Sequence, residues 1–250
     1  RARVLLHSWG LPAAAMAVVA FNRRAAAEVV ARTTDLPGLR VRTLNALGLR
    51  LLPSGIQTVD ERRVRDVLSG LVDLPRRAET DPAAPWIEAL GRVRLGLKHP
   101  LEVEAELPDV SGLGEVVVRY RDALRRGGET DFDDQVLGAI ERLLTDPPFR
   151  RRAQRAARIL LVDEFQDLTP AHLLLLRLLS GPAGGVFGVG DDDQTIYGYA
   201  GATPEWLVSF GDRFPGAGDH PLEVNYRCPP AVVGAAANLL TRNALRVPKV

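Results

Sequence analysis

The segment Val162-Asp163-Glu164-Phe165-Gln166-Asp167 sets two adjacent carboxylates directly behind an apolar run, Ile159 to Val162. Such a run reads as a buried strand, which delivers Asp163 and Glu164 to its C-terminal end. In an open parallel sheet, ligands bind at that edge. One carboxylate there can hold Mg²⁺ through its water shell. The next can orient and deprotonate a water that attacks a phosphoryl group. An acid pair behind a strand is common by itself; the full six-residue string is far rarer.

A second string, Gly190-Asp191-Asp192-Asp193-Gln194-Thr195-Ile196-Tyr197-Gly198-Tyr199, also follows a strand-like stretch. Its three acids repel one another unless water or a cation intervenes. Gln194 can reach a phosphate oxygen without adding charge. Tyr197 and Tyr199 sit in a polar, glycine-bearing loop, where an aromatic ring can stack on an unpaired base for about 1–3 kcal/mol. Both rings could equally pack inward. A third string, Leu222 to Pro229, carries Asn225-Tyr226-Arg227 behind a short apolar stretch. An arginine beside a γ-phosphate neutralises charge that builds in the transition state.

The elements that must position these residues alternate along the chain. Residues 14–20 read as a buried strand, and Asn22 can cap the helix that follows, Arg23 to Ala31. Val41 to Leu52 begins as a strand and turns helical. Strands are predicted again at 158–163, 185–190 and Leu222 to Val224. A leucine-dense helix at about 170–180 lies between the first two, and another helix begins near Pro230. Residues 54–150 differ: they show helical patterns at 58–72, 84–97, 113–126 and 131–145, and no convincing strand. Pro75, the turn from Asp81 to Pro85, Pro100, Pro108 and Gly127-Gly128 separate them. Val116 to Val118 is β-branched but falls within a helical pattern. Trp206 opens an amphipathic helix and reads as core. Alternation on both sides of an all-helical block predicts a parallel α/β domain with a helical insertion.

Composition bounds the answer. The chain has 250 residues and a formal net charge of +1, so charge alone does not announce a nucleic-acid binder. Of 32 basic residues only Lys98 and Lys249 are lysines, so cationic phosphate contacts must come almost entirely from arginine. Cys228 is the single cysteine, which excludes an internal disulfide and fits a reducing cytoplasm. No stretch approaches the ~18 apolar residues of a membrane span. No signal peptide is visible. The first residue is Arg1 rather than Met, so the chain reads as a fragment or a processed product.

In this order, the three strings resemble the UvrD/Rep branch of superfamily 1 helicases. They are similar to that family's Walker B motif, its motif III and its motif IV. Phe21-Asn22-Arg23-Arg24 resembles motif Ia, whose phenylalanine contacts a single-stranded base. Thr43-Leu44-Asn45-Ala46-Leu47 resembles motif Ib, which touches the DNA backbone. Thr130-Asp131-Phe132-Asp133-Asp134 resembles a segment found before the Walker B strand. The resemblance implies a RecA-like parallel sheet flanked by helices, with the motor domain in residues 1–53 and 151–250 and the helical insertion in 54–150. It implies ATP and Mg²⁺ as cofactors. Asp163, binding Mg²⁺ through water, joins Glu164, Gln166, Gln194 and Arg227 around the nucleotide, and Glu164, Asp163, Gln194 and Arg227 carry the catalysis. DNA contacts fall to Phe21, Asn22, Arg24, Thr43, Asn45, Tyr197 and Tyr199. The implied partners are single-stranded DNA, single-strand/duplex junctions and a second motor domain of the same protein. The implied activity is 3′→5′ translocation in DNA repair or recombination.

The sequence also departs from the family pattern. No Gly-x-x-x-x-Gly-Lys-[Ser/Thr] loop occurs. On the family's alignment Arg1 stands at the phosphate-loop lysine and Ala2 at the Mg²⁺-binding hydroxyl. The 250 residues alone are therefore expected to show no DNA-stimulated ATPase. Tyr199 stands where tryptophan is usual, Ala200 where arginine is usual, and Asn45 where histidine is usual. Two other readings stay open: the motor part of a helicase–nuclease, and a non-hydrolysing DNA-binding or scaffold paralogue.

Overall fold

The computed structural model describes residues 2–74, 81–182, 184–196, 198 and 201–242. The chain opens with helix α1 (Ala2–His7), strand β1 (Met16–Ala20), helix α2 (Arg23–Arg32), strand β2 (Arg40–Thr43) and helix α3 (Leu44–Leu51). Next come β3 (Gln57–Thr58), α4 (Glu61–Ser69), α5 (Ala84–Arg94), α6 (Pro100–Glu106), α7 (Leu113–Arg126) and β4 (Glu129–Thr130). Then follow α8 (Phe132–Thr145), α9 (Pro147–Ala156), β5 (Ile159–Val162), α10 (Pro170–Ser180) and β6 (Gly185–Gly188). The chain continues with α11 (Glu205–Val208), α12 (Phe210–Arg213) and α13 (Pro230–Leu240).

The main sheet is parallel throughout, in the order β2-β1-β5-β6. Its central strands are buried on both faces, which is why Met16–Ala20 and Ile159–Val162 are continuous apolar runs. Alternate residues serve two cores. Ala17, Val19, Leu160 and Val162 pack with Leu44, Leu51, Ile140, Leu143, Leu175 and Leu176 from α3, α8 and α10. Met16, Val18 and Leu161 pack with Leu5 of α1 on the other face. Burying one such aliphatic side chain contributes about 1.5–3 kcal/mol.

A separate core forms in the middle of the chain. Leu68, Trp86, Leu90, Val103, Leu113, Tyr120 and Leu124 pack together from α4, α5, α6 and α7. Val116 is part of that core and sits on α7, so the β-branched run is helical as predicted. Helix α8 lies within the 54–150 block but sends Val136, Ala139, Ile140 and Leu143 into the sheet's core. The second apolar core therefore stops at Leu124. Gly48 of α3 allows the close approach of α8: a Cβ there would stand 2.6 Å from the Gln135 carbonyl oxygen.

Several elements differ from the sequence expectation. Helices α6 and α9 are not among the expected patterns: Pro100, expected as a break, sits at the first position of α6 behind a His99 cap, and Pro147 at the first position of α9 behind an Asp146 cap. Proline suits that position because its missing N–H would be unbonded there anyway. The 54–150 block also holds two short strands, β3 and β4, which pair in parallel. Leu222 to Val224 is not a strand. Leu222 is 91% exposed and Val224 65%, so neither gains the burial that holds apolar strand residues in a sheet. Among the described residues, no helix is long and apolar enough to cross a membrane.

Candidate active site

Sheet register puts four loops on one edge. Ala20 pairs with Thr43, Val19 with Val162, and Val162 with Gly188. The chain leaving each C-terminal strand end is therefore Phe21-Asn22, Leu44-Asn45, Asp163-Glu164 and Val189-Gly190-Asp191. The Asp163 N–H donates to the Val19 carbonyl (2.9 Å), and the Phe165 N–H to the Val189 carbonyl (2.8 Å). These bonds extend the ladder just past the strand ends.

Phe165 anchors the acidic loop. Its ring is fully buried and meets Phe210 edge-on at 5.0 Å and Phe214 at 6.3 Å. Gly188 makes room for it, since a Cβ there would lie 2.8 Å from Phe165 and 2.9 Å from Phe210. With Phe165 driven into the core, Asp163 and Glu164 are left half-buried at the edge. Glu164 adopts a left-handed backbone (φ 51°, ψ 50°), which costs a non-glycine residue energy and persists where the surroundings hold it.

Gln166 is the holder. Its side chain is 1% exposed. Its Nε2 donates to Glu164 Oε2 at 2.8 Å, and its Oε1 accepts from the Asp191 N–H at 3.0 Å. Gln194 Nε2 then donates to Asp191 Oδ2 at 2.7 Å. Glu164, Gln166, Asp191 and Gln194 thus form one hydrogen-bonded chain between the two acidic loops. Gly190 is necessary for it, because a Cβ at that position would overlap Gln166 Oε1.

The loop is short of positive charge. Burial, then the neighbouring Glu164 charge, raises the Asp163 carboxyl above the usual carboxylate range. Asp167 is pushed up to about 6 by the same two causes in the same order. Asp167 Oδ1 is buried without a hydrogen-bond partner. Among the described residues no ion pair reaches Asp163, Glu164 or Asp167. Clustered carboxylates lacking a counter-charge suit a bound cation.

The next helix is fastened to this loop by a capping box. The Thr169 hydroxyl accepts from the His172 N–H, and His172 Nδ1 accepts from the Thr169 N–H at 3.3 Å. Burial depresses the His172 ring to about 4, in keeping with an Nδ1 that accepts.

The other predicted site residues are distributed less compactly. Asn22 caps α2, its Oδ1 accepting from Ala25 N–H at 2.8 Å, while Phe21 is half-buried and Arg24 exposed. Thr43 caps α3 through Ala46 N–H at 3.2 Å. Asn45 Nδ2 donates to the Phe132 carbonyl at 2.8 Å, which ties α3 to the start of α8. Tyr197 and Tyr199 lie outside the described residues. Arg227 is not brought to the carboxylates: it is exposed, and among the described residues its guanidinium makes no hydrogen bond or ion pair. Its backbone N–H and that of Cys228 both donate to Asn225 Oδ1, forming a local turn. The strand expected to deliver it did not form.

The sequence profile of the UvrD/REP helicase N-terminal domain matches residues 1–215. The chain belongs to the UvrD/REP helicase family. DNA helicase II of Escherichia coli (strain K12) and of Salmonella typhimurium are each 32% identical to it over 274 aligned positions, covering all of this chain and 38% of the relative. The ATP-dependent DNA helicase PcrA of Staphylococcus epidermidis is 28% identical over 251 positions, covering 92% of this chain and 34% of the relative. The chain thus spans little more than a third of the UvrD/REP helicases it matches.

Two residues of this UvrD/REP edge escape a reading by residue type. Gly190 matters for the space it leaves, and only the Asp-rich string behind it marks the position. Phe165 matters as an anchor, and its place between acids on one side and Gln166-Asp167 on the other is the available signal.

Proposed function

We propose that the protein carrying this chain is an ATP-dependent DNA helicase that moves 3′→5′ on single-stranded DNA in repair or recombination. The observation that carries this reading is the hydrogen-bonded chain from Glu164 through Gln166 and Asp191 to Gln194. It couples a base held at the sheet edge to a side chain able to report on a phosphate. Glu164 Oε2 is occupied by Gln166, and the other oxygen has no partner among the described residues, so it can orient and deprotonate the attacking water. Asp163 would hold Mg²⁺ through water, and the uncompensated carboxylates of this loop fit such a cation. When bound, Mg²⁺ supplies charge neutralisation for the phosphates. Gln194 would hydrogen-bond the γ-phosphate, and Arg227 would reach it only if the exposed 220–228 segment is repositioned. ATP and a second motor domain of the same protein complete the site in this reading.

DNA lies, in the same proposal, across the edge defined by Phe21, Asn22, Arg24, Thr43 and Asn45, with Tyr197 and Tyr199 stacking on unpaired bases. Asn45 keeps one amide hydrogen for a phosphate, since the other is held by Phe132. Residues from α4 to α7, with their own core, form the insertion, which would face a single-strand/duplex junction. The test is Glu164→Gln in the intact protein. ATP binding is expected to stay near the wild-type level while DNA-stimulated hydrolysis falls by about 10²–10⁴, the usual worth of a positioned base. Hydrolysis within a few-fold of wild type overturns the role given to Glu164.

A further inference from the structure

Most of the ion-paired arginines among the described residues lie in the insertion; Arg3, Arg32 and Arg213 are paired outside it. Most described arginines of the insertion form ion pairs, among them Arg63, Arg65, Arg92, Arg94, Arg121 and Arg125, while Arg62 and Arg126 form none among the described residues. Two other segments carry arginines and no acid within them, with Asp35 and Asp146 just before their starts. Residues 36–59 hold Arg40, Arg42 and Arg50 and no Asp or Glu. Residues 147–162 hold five arginines and no Asp or Glu. Among the described residues Arg40, Arg42, Arg50, Arg151, Arg155 and Arg158 form no ion pair. A bias toward arginine in the coding sequence explains their number but not why two acid-free segments hold so many without an ion pair.

The fold brings the two segments together. In a parallel sheet, register partners share a face, and Arg40 and Arg42 pair with Ala17 and Val19. They therefore stand on the face covered by α3 and α9. There they rim a cleft of about 220 Å³ with Arg50, over a floor that includes Ala17, Val19, Leu47, Leu51 and Leu179. Ala153 and Ala156 of α9 and the Ala157 that follows it form its far wall. Arg40 Nη1 donates to the Ala156 carbonyl at 3.0 Å, fixing the strand's cation against the negative end of α9. Arg40 opens β2 and Arg158 immediately precedes β5, so both mark the N-terminal edge of the sheet, opposite the carboxylate edge.

We infer that this face is a second nucleic-acid surface, which holds the phosphate backbone of duplex DNA without reading its sequence. Sequence-independent binding needs a spread of unpaired cations, and arginine adds bidentate phosphate geometry. Single-strand binding instead relies on aromatic platforms. This face has none free: Phe149, the only aromatic in the two segments, has the Arg142 guanidinium 3.8 Å above its ring and Arg152 at 5.8 Å. A duplex needs no such platform. The inference borrows from the helicase reading only the identity of the polyanion.

The test compares the intact protein with Arg42→Gln/Arg155→Gln/Arg158→Gln. Binding is followed by fluorescence anisotropy over a series of salt concentrations, on a blunt duplex and on a single strand. Each phosphate contact contributes about 0.9 to the slope of log affinity against log salt for duplex DNA, so three lost contacts shrink it by about 2 to 3. Single-strand affinity and single-strand-stimulated ATP hydrolysis are expected to stay unchanged, which separates failure here from failure of the helicase reading. The Arg→Lys version at the same positions should keep most of the slope. Should the triple variant fail to fold, Arg151→Gln/Arg158→Gln at two exposed positions should shrink the slope by about 2. An unchanged duplex slope overturns the proposal, as does an equal loss on duplex and single strand. Poly-glutamate that binds wild type but not the variant, with duplex affinity intact, assigns the face to an acidic protein and also overturns it.

Discussion

Gln166→Ala should remove the link between the two acidic loops, and its effect can be estimated from the contacts. The side chain is 1% exposed and makes two hydrogen bonds. The bond to the Glu164 carboxylate is charge-assisted and contributes about 1.5–3 kcal/mol, and the neutral bond from the Asp191 N–H about 1 kcal/mol. Their sum, about 2.5–4 kcal/mol, corresponds to roughly 5–15 °C in melting temperature for a chain of this size. Turnover should fall further than nucleotide binding, because Glu164 loses the donor that orients it. A loss of about 100-fold is the lower end of what a positioned base contributes. Gly190→Ala should reproduce the effect from the opposite side. Its new Cβ would overlap Gln166 Oε1 and stand 3.1 Å from the Phe165 nitrogen. Since both substitutions break the same link, their effects should not add. If each alone costs roughly 100-fold, the double variant should also cost roughly 100-fold rather than the product of the two. The assay is DNA-stimulated phosphate release in the intact protein, with kcat and KM separated. Multiplicative losses in the double variant, or wild-type turnover in Gly190→Ala, would refute the coupling.

Two further outcomes concern charge buried in the fold. Asp167 is raised to about 6, first by burial and then by Glu164. A carboxyl raised above its unfolded value costs stability once ionised: the cost is absent below about pH 4, grows through about pH 6 and is full above it. Without Mg²⁺ or nucleotide, Asp167→Asn should therefore melt above wild type near neutrality, and the gap should close as pH falls through about 6; a gap independent of pH would refute this. Arg94, 3% exposed, pairs with Asp131 at 2.7 Å and Asp133 at 3.0 Å, and the Tyr120 hydroxyl donates to Asp131 at 2.7 Å. Burial raises the Asp133 carboxyl even with Arg94 beside it, whereas Arg94 and Tyr120 outweigh burial at Asp131 and keep it low. Arg94→Met should cost about 3–5 kcal/mol in urea unfolding by stranding both carboxylates, and a loss under about 1 kcal/mol would count against a single network.

The legible parts of this fold were those set by local periodicity. The runs at Met16–Ala20 and Ile159–Val162 and the helices α5, α7, α8 and α10 all follow from residues close in sequence. The parts missed depend on partners far along the chain or on the sense in which a proline is read. β3 and β4 are two residues each and exist only because Gln57 and Thr58 meet Glu129 and Thr130. Two-residue strands leave no periodic trace. Pro100 reads as a break, yet a proline preceded by a capping His99 starts a helix, as Pro147 does behind Asp146. The Arg94–Asp131 pair spans 37 residues and is likewise invisible to pattern.

The same distinction explains which site residues the structure unites. Asp163, Glu164 and Gln166 lie within four positions of one another, so the strand that delivers one delivers all. Gln194 joins them because Val162 and Gly188 are register partners, which lifts Val189 to the height of Asp163 and carries the following loop over Gln166. Each of these residues is tied to the end of a strand in the main sheet. Arg227 has no such tie. The segment before it exposes Leu222, Val224 and Tyr226, and its turn is held only by Asn225. A motif read from residue type predicts what a side chain can do; its place at the site depends on whether the element beside it has a face to bury. For Arg227 that burial would have to come from a surface that covers the 220–228 segment, and the second motor domain of the proposal is one that could bring the guanidinium toward Glu164.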